Sequence, residues 1–170
     1  MAKITLVLGG ARSGKSSYAE VAAGKSERKK IYIATAEVCD DEMGERVGKH
    51  RLRRGGDWKT VEIPIDIAEQ ITNSNYVNSV ILVDCLTLWL SNLLYKKINI
   101  TQYINKLIEA LKETQAEVIL VSNEVGLGIV PENALARQFR DYAGMLHQQV
   151  AEVADEVVLV VAGIPVKIKG

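Results

Sequence analysis

Residues 9–16 read Gly9-Gly10-Ala11-Arg12-Ser13-Gly14-Lys15-Ser16, the spacing G-x-x-x-x-G-K-[ST] of a phosphate-binding loop. Glycines let such a loop curl until its backbone N–H groups point at phosphate oxygens. A helix starting at the end of the loop adds partial positive charge. Lys15 is placed to hold β- and γ-phosphates, and the Ser16 hydroxyl to ligate Mg2+. Further on, Val80-Ile81-Leu82-Val83-Asp84 is an apolar run closed by an acid, with Asp84 positioned to orient Mg2+ or its waters. The two motifs together point to a nucleoside triphosphate. They do not say what is done with it.

Other residues carry two readings each. Residues 40–54 place acids first and bases last, which suits a helix macrodipole, and Arg46, His50 and Arg54 share a face at i, i+4, i+8. His50 is then either a surface histidine on a solvated helix or a ring kept neutral by neighbouring arginines. A neutral imidazole is a nucleophile, and the same arginines could hold phosphates against it. Thr35 follows an apolar run, at the sheet edge where ligands sit in open α/β folds, but its pattern favours a turn leading into a helix. Glu62 closes another strand and could contact a ribose or simply be exposed. The glycine-bearing stretch Asn123–Pro131 is a functional loop or a plain connector. Arg137 and Arg140 could reach a phosphate or only water, and His147 needs nothing beyond a surface explanation.

The elements that must position these groups follow from periodicity and punctuation. Strands are expected at Ile4–Leu8, Ile31–Ala34, Trp58–Ile63, Val80–Asp84 and Glu117–Ser122, with a final hairpin over 156–168. Helices are expected from Ser16 to Ala23, from Pro64 to Ile71, from Cys85 to Tyr95 and from Thr101 to Leu111. The last helix begins at Glu132-Asn133 and runs to about Ala154, with Leu135, Phe139, Tyr142, Leu146 and Val150 inward.

Composition narrows the classes. The chain has 170 residues, 48% hydrophobic and 25% charged, which favours one globular domain over residues 1–170. Lys plus Arg and Asp plus Glu each total 21, so the net charge is zero and nucleic acid is disfavoured as the main partner. No apolar run approaches a membrane span. Met1-Ala2-Lys3 leads straight into the first strand, so no signal peptide is expected. Cys39 and Cys85 lack metal-ligand spacing and read as two free thiols of a cytoplasmic protein.

As a set, several stretches resemble the bifunctional adenosylcobinamide kinase/adenosylcobinamide-phosphate guanylyltransferase family of cobalamin biosynthesis. They are the phosphate loop, Tyr32-Ile33-Ala34-Thr35-Ala36, Asp41-Glu42-Met43 with Arg46 and His50, Trp58-Lys59-Thr60-Val61-Glu62, and Val83-Asp84-Cys85-Leu86-Thr87. Val121 to Pro131, Phe139-Arg140-Asp141 and Val161-Ala162-Gly163-Ile164-Pro165 complete the match, which spans nearly the whole chain. The resemblance implies a RecA-like P-loop NTPase fold of the α/β class, assembled as a homotrimer. Its sheet would be mostly parallel, with helices on both faces and a C-terminal β-hairpin. It implies phosphorylation of adenosylcobinamide by ATP or GTP, then transfer of GMP from GTP to that phosphate through a guanylyl-histidine. The nucleophile's role falls on His50, with Lys15 beside it in catalysis and Mg2+ held by Ser16 and Asp84. Guanine-nucleotide contacts fall on Gly9 to Ser16, Ala34 to Ala36, Arg51, Leu52, Arg53, Arg54, Glu62 and Asp84. The phosphate loop alone is also compatible with a small-molecule kinase lacking the covalent intermediate, or with a nucleotide-binding regulatory module.

Overall fold

The computed structural model describes residues 2–37 and 56–170. The expected helix over 40–54 therefore lies outside the described residues, as do Cys39, His50 and Arg51 to Arg54. Seven strands form one sheet: β1 (Ile4–Gly9), β2 (Lys29–Ala34), β3 (Trp58–Glu62), β4 (Ser79–Asp84), β5 (Glu117–Asn123), β6 (Glu156–Val161) and β7 (Ile164–Lys169). Their order is β3-β2-β4-β5-β1-β6-β7. Neighbours run parallel except β6 and β7, which form the C-terminal hairpin. Five α-helices are described: α1 (Lys15–Gly24), α2 (Ile67–Ile71), α3 (Leu86–Tyr95), α4 (Ile100–Glu113) and α5 (Ala134–Val153).

The central strands are continuous apolar runs because both of their faces are covered. Val7, Leu82, Val121 and Val158 meet Ala19 and Ala23 of α1 on one side. Leu6, Ile33, Ile81 and Leu120 meet Trp89, Ile104, Leu107 and Leu146 of α3, α4 and α5 on the other. Each fully buried side chain of this size contributes about 1.5–3 kcal/mol. Local signals agree with the packing. The Asn99 and Asn133 side chains cap α4 and α5, accepting from Gln102 N–H (3.1 Å) and Ala136 N–H (3.0 Å), worth about 1 kcal/mol each.

Three expectations change. The helix expected from Pro64 begins only at Ile67, because side chains of α3 take the preceding carbonyls: Asn92 Nδ2 donates to Pro64 O (3.1 Å) and Trp89 Nε1 to Ile65 O (2.6 Å). Cys85 is extended and precedes α3 instead of joining it. Leu135, expected inward, is 52% exposed; it sits in the first turn of α5, over a surface groove instead of the sheet.

Candidate functional site

The carboxyl ends of β2, β4, β5 and β1 define one edge of the sheet. Ala34 lies opposite Asp84, and Gly9 lies opposite Asn123. The phosphate loop leaves β1 at this edge and closes into α1 through Ser13 N–H to Gly10 O (3.3 Å) and Tyr18 N–H to Gly14 O (2.9 Å). Arg12 and Gly14 take left-handed backbone angles, φ 53° and 93°, which strain Arg12 but not glycine. Lys15 Nζ donates to Gly10 O (3.1 Å), across the mouth of the loop.

The loop is braced from an unexpected quarter. The turn of the C-terminal hairpin has φ 51° at Ala162 and 78° at Gly163, the signs of a type I′ turn. Gly163 N–H donates to Ser13 O (2.7 Å). The approach is close enough to demand glycine in the loop. A Cβ on Gly14 would lie 3.2 Å from Gly163 Cα, and one on Gly9 would lie 2.4 Å from Ser13 Oγ and 2.7 Å from the Val160 carbonyl oxygen. Gly9→Ala is expected to cost about 1–3 kcal/mol of stability by overpacking and to weaken nucleotide binding with it. Thermal denaturation with and without nucleotide measures both.

Asp84 ends β4, one strand beyond β5 from the phosphate loop. It accepts a hydrogen bond from Tyr32 Oη (3.2 Å). Ser16, in the first turn of α1, and Asp84 are both oxygen donors. One or two such ligands completed by phosphates and waters are what Mg2+ asks for, so the residues present fit that ion. No cluster of three or more His, Cys, Asp or Glu able to hold a metal exists among the described residues, and Mg2+ bound with phosphates needs none. Two buried side-chain oxygens, Ser13 Oγ and Asn123 Oδ1, have no hydrogen-bond partner among the described residues. Both flank Gly9. Buried polar atoms without partners are rare, and their meeting at this edge marks it as a site.

Thr35 is fully buried and laces β2 to the junction of β4 and α3; the helix expected to follow it lies outside the described residues. Its hydroxyl donates to Cys85 O (2.7 Å) and accepts from Cys85 N–H (2.8 Å), while Asn92 Nδ2 donates to its carbonyl (2.8 Å). Cys85 forms no disulfide, and burial, helped by the charge of Asp84, pushes its thiol up to about 11; it is inert at neutral pH. Glu62 is exposed at the end of β3. Arg137 is half-buried. Its Nη1 donates to Pro131 O (2.9 Å) and also to Glu132 O, closing the loop after β5. Arg140 lies 3.5 Å from Asp141.

His147 overturns its surface reading. It is only 8% exposed, and its Nε2 lies 2.7 Å from Ser122 Oγ. Its partner is 25 residues away in sequence, so no local pattern reveals the pair. Burial lowers its pKa below the ordinary 6.5, with Glu124 opposing. A lowered histidine pKa means that the unfolded chain takes up the proton first as pH falls. The stability owed to the neutral ring is therefore present above pH 6.5 and lost below it. The melting temperature of the native chain should fall more steeply from about pH 7 to about pH 5 than that of His147→Gln.

Comparison with known proteins gives the geometry a family. The family described as cobinamide kinase / cobinamide phosphate guanyltransferase matches residues 5–168. The bifunctional adenosylcobalamin biosynthesis protein CobP of Pseudomonas aeruginosa is 46% identical over 97% of this chain and 96% of its own. CobU of Escherichia coli, of the same description, is 45% identical over 96% of this chain and 98% of its own. Among solved structures, the assembled ATPase EscN of enteropathogenic E. coli superposes with a TM-score of 0.59 at 10% identity, over 95% of this chain and 43% of that one. The flagellar accessory protein FlaH of Methanocaldococcus jannaschii gives 0.55 at 12%, over 98% and 78%. At such identities these structures speak for the fold alone, a P-loop NTPase sheet with helices on both faces. With the family matched over nearly all of its length, the chain belongs to the cobinamide kinase / cobinamide phosphate guanyltransferase family.

Proposed function

We propose that this chain phosphorylates the primary hydroxyl of adenosylcobinamide with ATP or GTP, then moves GMP from GTP onto that phosphate, giving adenosylcobinamide-GDP and pyrophosphate. One observation carries the reading: relatives of about 45% identity over nearly full length are bifunctional enzymes of adenosylcobalamin biosynthesis. The phosphate loop at the carboxyl edge of β1 supports it.

The chemistry divides between the two triphosphate ends. In the kinase step the loop amides and Lys15 hold the β- and γ-phosphates while the acceptor oxygen attacks the γ-phosphorus. In guanylyl transfer the neutral ring of His50 attacks the α-phosphorus of GTP. A nitrogen–phosphorus bond forms, the bond to the bridging oxygen breaks, and pyrophosphate leaves with that electron pair, stabilised by Lys15 and the loop amides. The phosphate of the acceptor then attacks the same phosphorus and releases imidazole. Ser16 and Asp84 would hold Mg2+, which neutralises charge on the phosphate oxygens. Arg51, Arg53 and Arg54, with Leu52 among them, Ala34 to Ala36 and Glu62 complete the guanine-nucleotide contacts; the Thr35 hydroxyl is engaged with Cys85 and its N–H with Asp84 O (3.3 Å), which leaves that residue the second acceptor position of its carbonyl.

Residues 1–170 act in this reading as one nucleotide-binding transferase domain working in the cytoplasm as a homotrimer. Among the described residues no helix is long and apolar enough to cross a membrane. Ile164, Val166 and Ile168 of the edge strand β7 are 50–66% exposed, an apolar row that a subunit contact would cover. Light scattering should return three times the 18.7 kDa chain mass; a monomer at working concentration would count against the assembly. The function itself is tested by supplying adenosylcobinamide, ATP, GTP and Mg2+ to the purified chain. Adenosylcobinamide-GDP and pyrophosphate are expected. Phosphorylation without GMP addition would favour a plain kinase, and no turnover at all would defeat the reading.

A further inference from the structure

A line of polar contacts runs from α3 through β5 and α5 to one carboxylate, hydrogen-bonded as far as the His147 ring and closed by a charge contact. Asn123 N–H donates to Thr87 Oγ1 (2.7 Å), which lies 3.2 Å from Ser122 Oγ. Ser122 Oγ is 2.7 Å from His147 Nε2, and His147 Nδ1 faces Glu124 Oε2 at 3.9 Å. Glu124 Oε1 accepts from Gly126 N–H (2.5 Å). Thr87, Ser122 and His147 are all buried.

The line can be polarised in only two ways, because each hydroxyl has one hydrogen to give. If Thr87 donates to Ser122, then Ser122 donates to Nε2, and the ring proton sits on Nδ1, directed at Glu124. The reverse places the Nδ1 lone pair against a carboxylate in a poorly solvated position, which is repulsive. Burial of the ring disfavours the doubly protonated form. The Nδ1–H tautomer follows; Glu124 Oε1 is held by Gly126 N–H, and Oε2 lies in the field of the ring proton.

Its location gives that carboxylate a use. Glu124 N–H donates to Gly9 O (3.0 Å), so the residue is fastened to the first residue of the phosphate loop. Its side chain is 23% exposed, and each oxygen keeps a further acceptor position. Beside it, Leu94, Tyr95, Val125, Pro131, Phe139 and Arg140 line an apolar groove of about 600 Å³, a volume within the range of small-molecule sites. Val125, the next residue, forms part of its wall.

The geometry points to Glu124 as the carboxylate that accepts the proton of the acceptor hydroxyl in phosphoryl transfer, and to His147 as the residue that positions it. The acceptor oxygen bonds to the γ-phosphorus, the bond to the β–γ bridging oxygen breaks, and the nucleoside diphosphate leaves with that electron pair. The hydroxyl proton passes to Glu124 and from there to water. The identity of the acceptor alcohol rests on the function proposed above.

The test follows two reactions of the full-length chain: phosphorylation of adenosylcobinamide by ATP, and formation of enzyme-bound GMP from α-labelled GTP without acceptor. Glu124→Gln keeps the shape and the bond to Gly126, and should lower kcat for phosphorylation by about 10²–10⁴-fold. The KM for ATP should stay within about twofold, and phosphoryl transfer should fall at least about tenfold further than enzyme–GMP formation. Glu124→Asp should recover part of the loss. His147→Gln should show the same split at about 10-fold, as expected of a residue acting through another. Nitrogen-15 spectra of the His147 ring should report the neutral Nδ1–H form. Equal losses in both reactions, an indifferent Glu124→Gln, or an Nε2–H ring would overturn the assignment. A native chain inert toward adenosylcobinamide would defeat the substrate reading instead, and the ring signal would still decide the positioning.

Discussion

Lys15→Ala is expected to lower phosphoryl transfer and guanylyl transfer together, each by about 10³-fold or more. The reason is that one ammonium serves both reactions. In the proposed mechanism it meets the β–γ bridge when the γ-phosphorus is attacked and the departing pyrophosphate when the α-phosphorus is attacked. In both transition states charge grows on oxygens that the loop already surrounds. Structure should survive the change, because among the described residues the Lys15 ammonium makes a single hydrogen bond, to Gly10 O. Steady-state assays of the two reactions, with circular dichroism as the control, make the comparison. Lys15→Arg should rescue little, since a planar fork does not replace a compact charge inside a tight loop.

His50→Ala is expected to separate the two activities. Guanylyl transfer should fall by about 10³-fold or more, because loss of a nucleophile removes the covalent route and not merely a contact. Phosphorylation of adenosylcobinamide should persist within about threefold, as the proposed mechanism gives that reaction no step at His50. Product analysis should then show adenosylcobinamide phosphate accumulating without adenosylcobinamide-GDP. Loss of both activities in a folded variant would instead place His50 in triphosphate binding.

The frame of the molecule was legible because its signals are local. Ile4 to Gly9 and Ser79 to Asp84 are strands buried on both faces, and such strands are written as apolar runs. The glycine spacing from Gly9 to Ser16 fixes a loop that a side chain at Gly9 or Gly14 would obstruct. Asn133 announces α5 by capping it. What escaped the sequence depends on residues far apart in the chain. The bond from Gly163 to Ser13 joins the last hairpin to the first loop, and nothing in either stretch names the other. Thr35 shows a short polar residue after a strand, a pattern shared by turns, while its true partner is 50 residues on. His147 sits on a helix whose exposed neighbours Gly144, Met145 and Gln148 suggest a surface. Only the meeting of α5 with the end of β5 makes it a buried partner of Ser122 and Glu124.

The central claim is that GMP passes through the chain's own imidazole. Incubation with GTP labelled at the α-phosphate and Mg2+, without acceptor, followed by peptide mapping, tests it most directly. The account predicts one acid-labile, alkali-stable label per chain, on the peptide containing His50, absent from His50→Ala and discharged by adenosylcobinamide phosphate. A chain that never carries the label while making adenosylcobinamide-GDP, or that carries it on another residue, would contradict it.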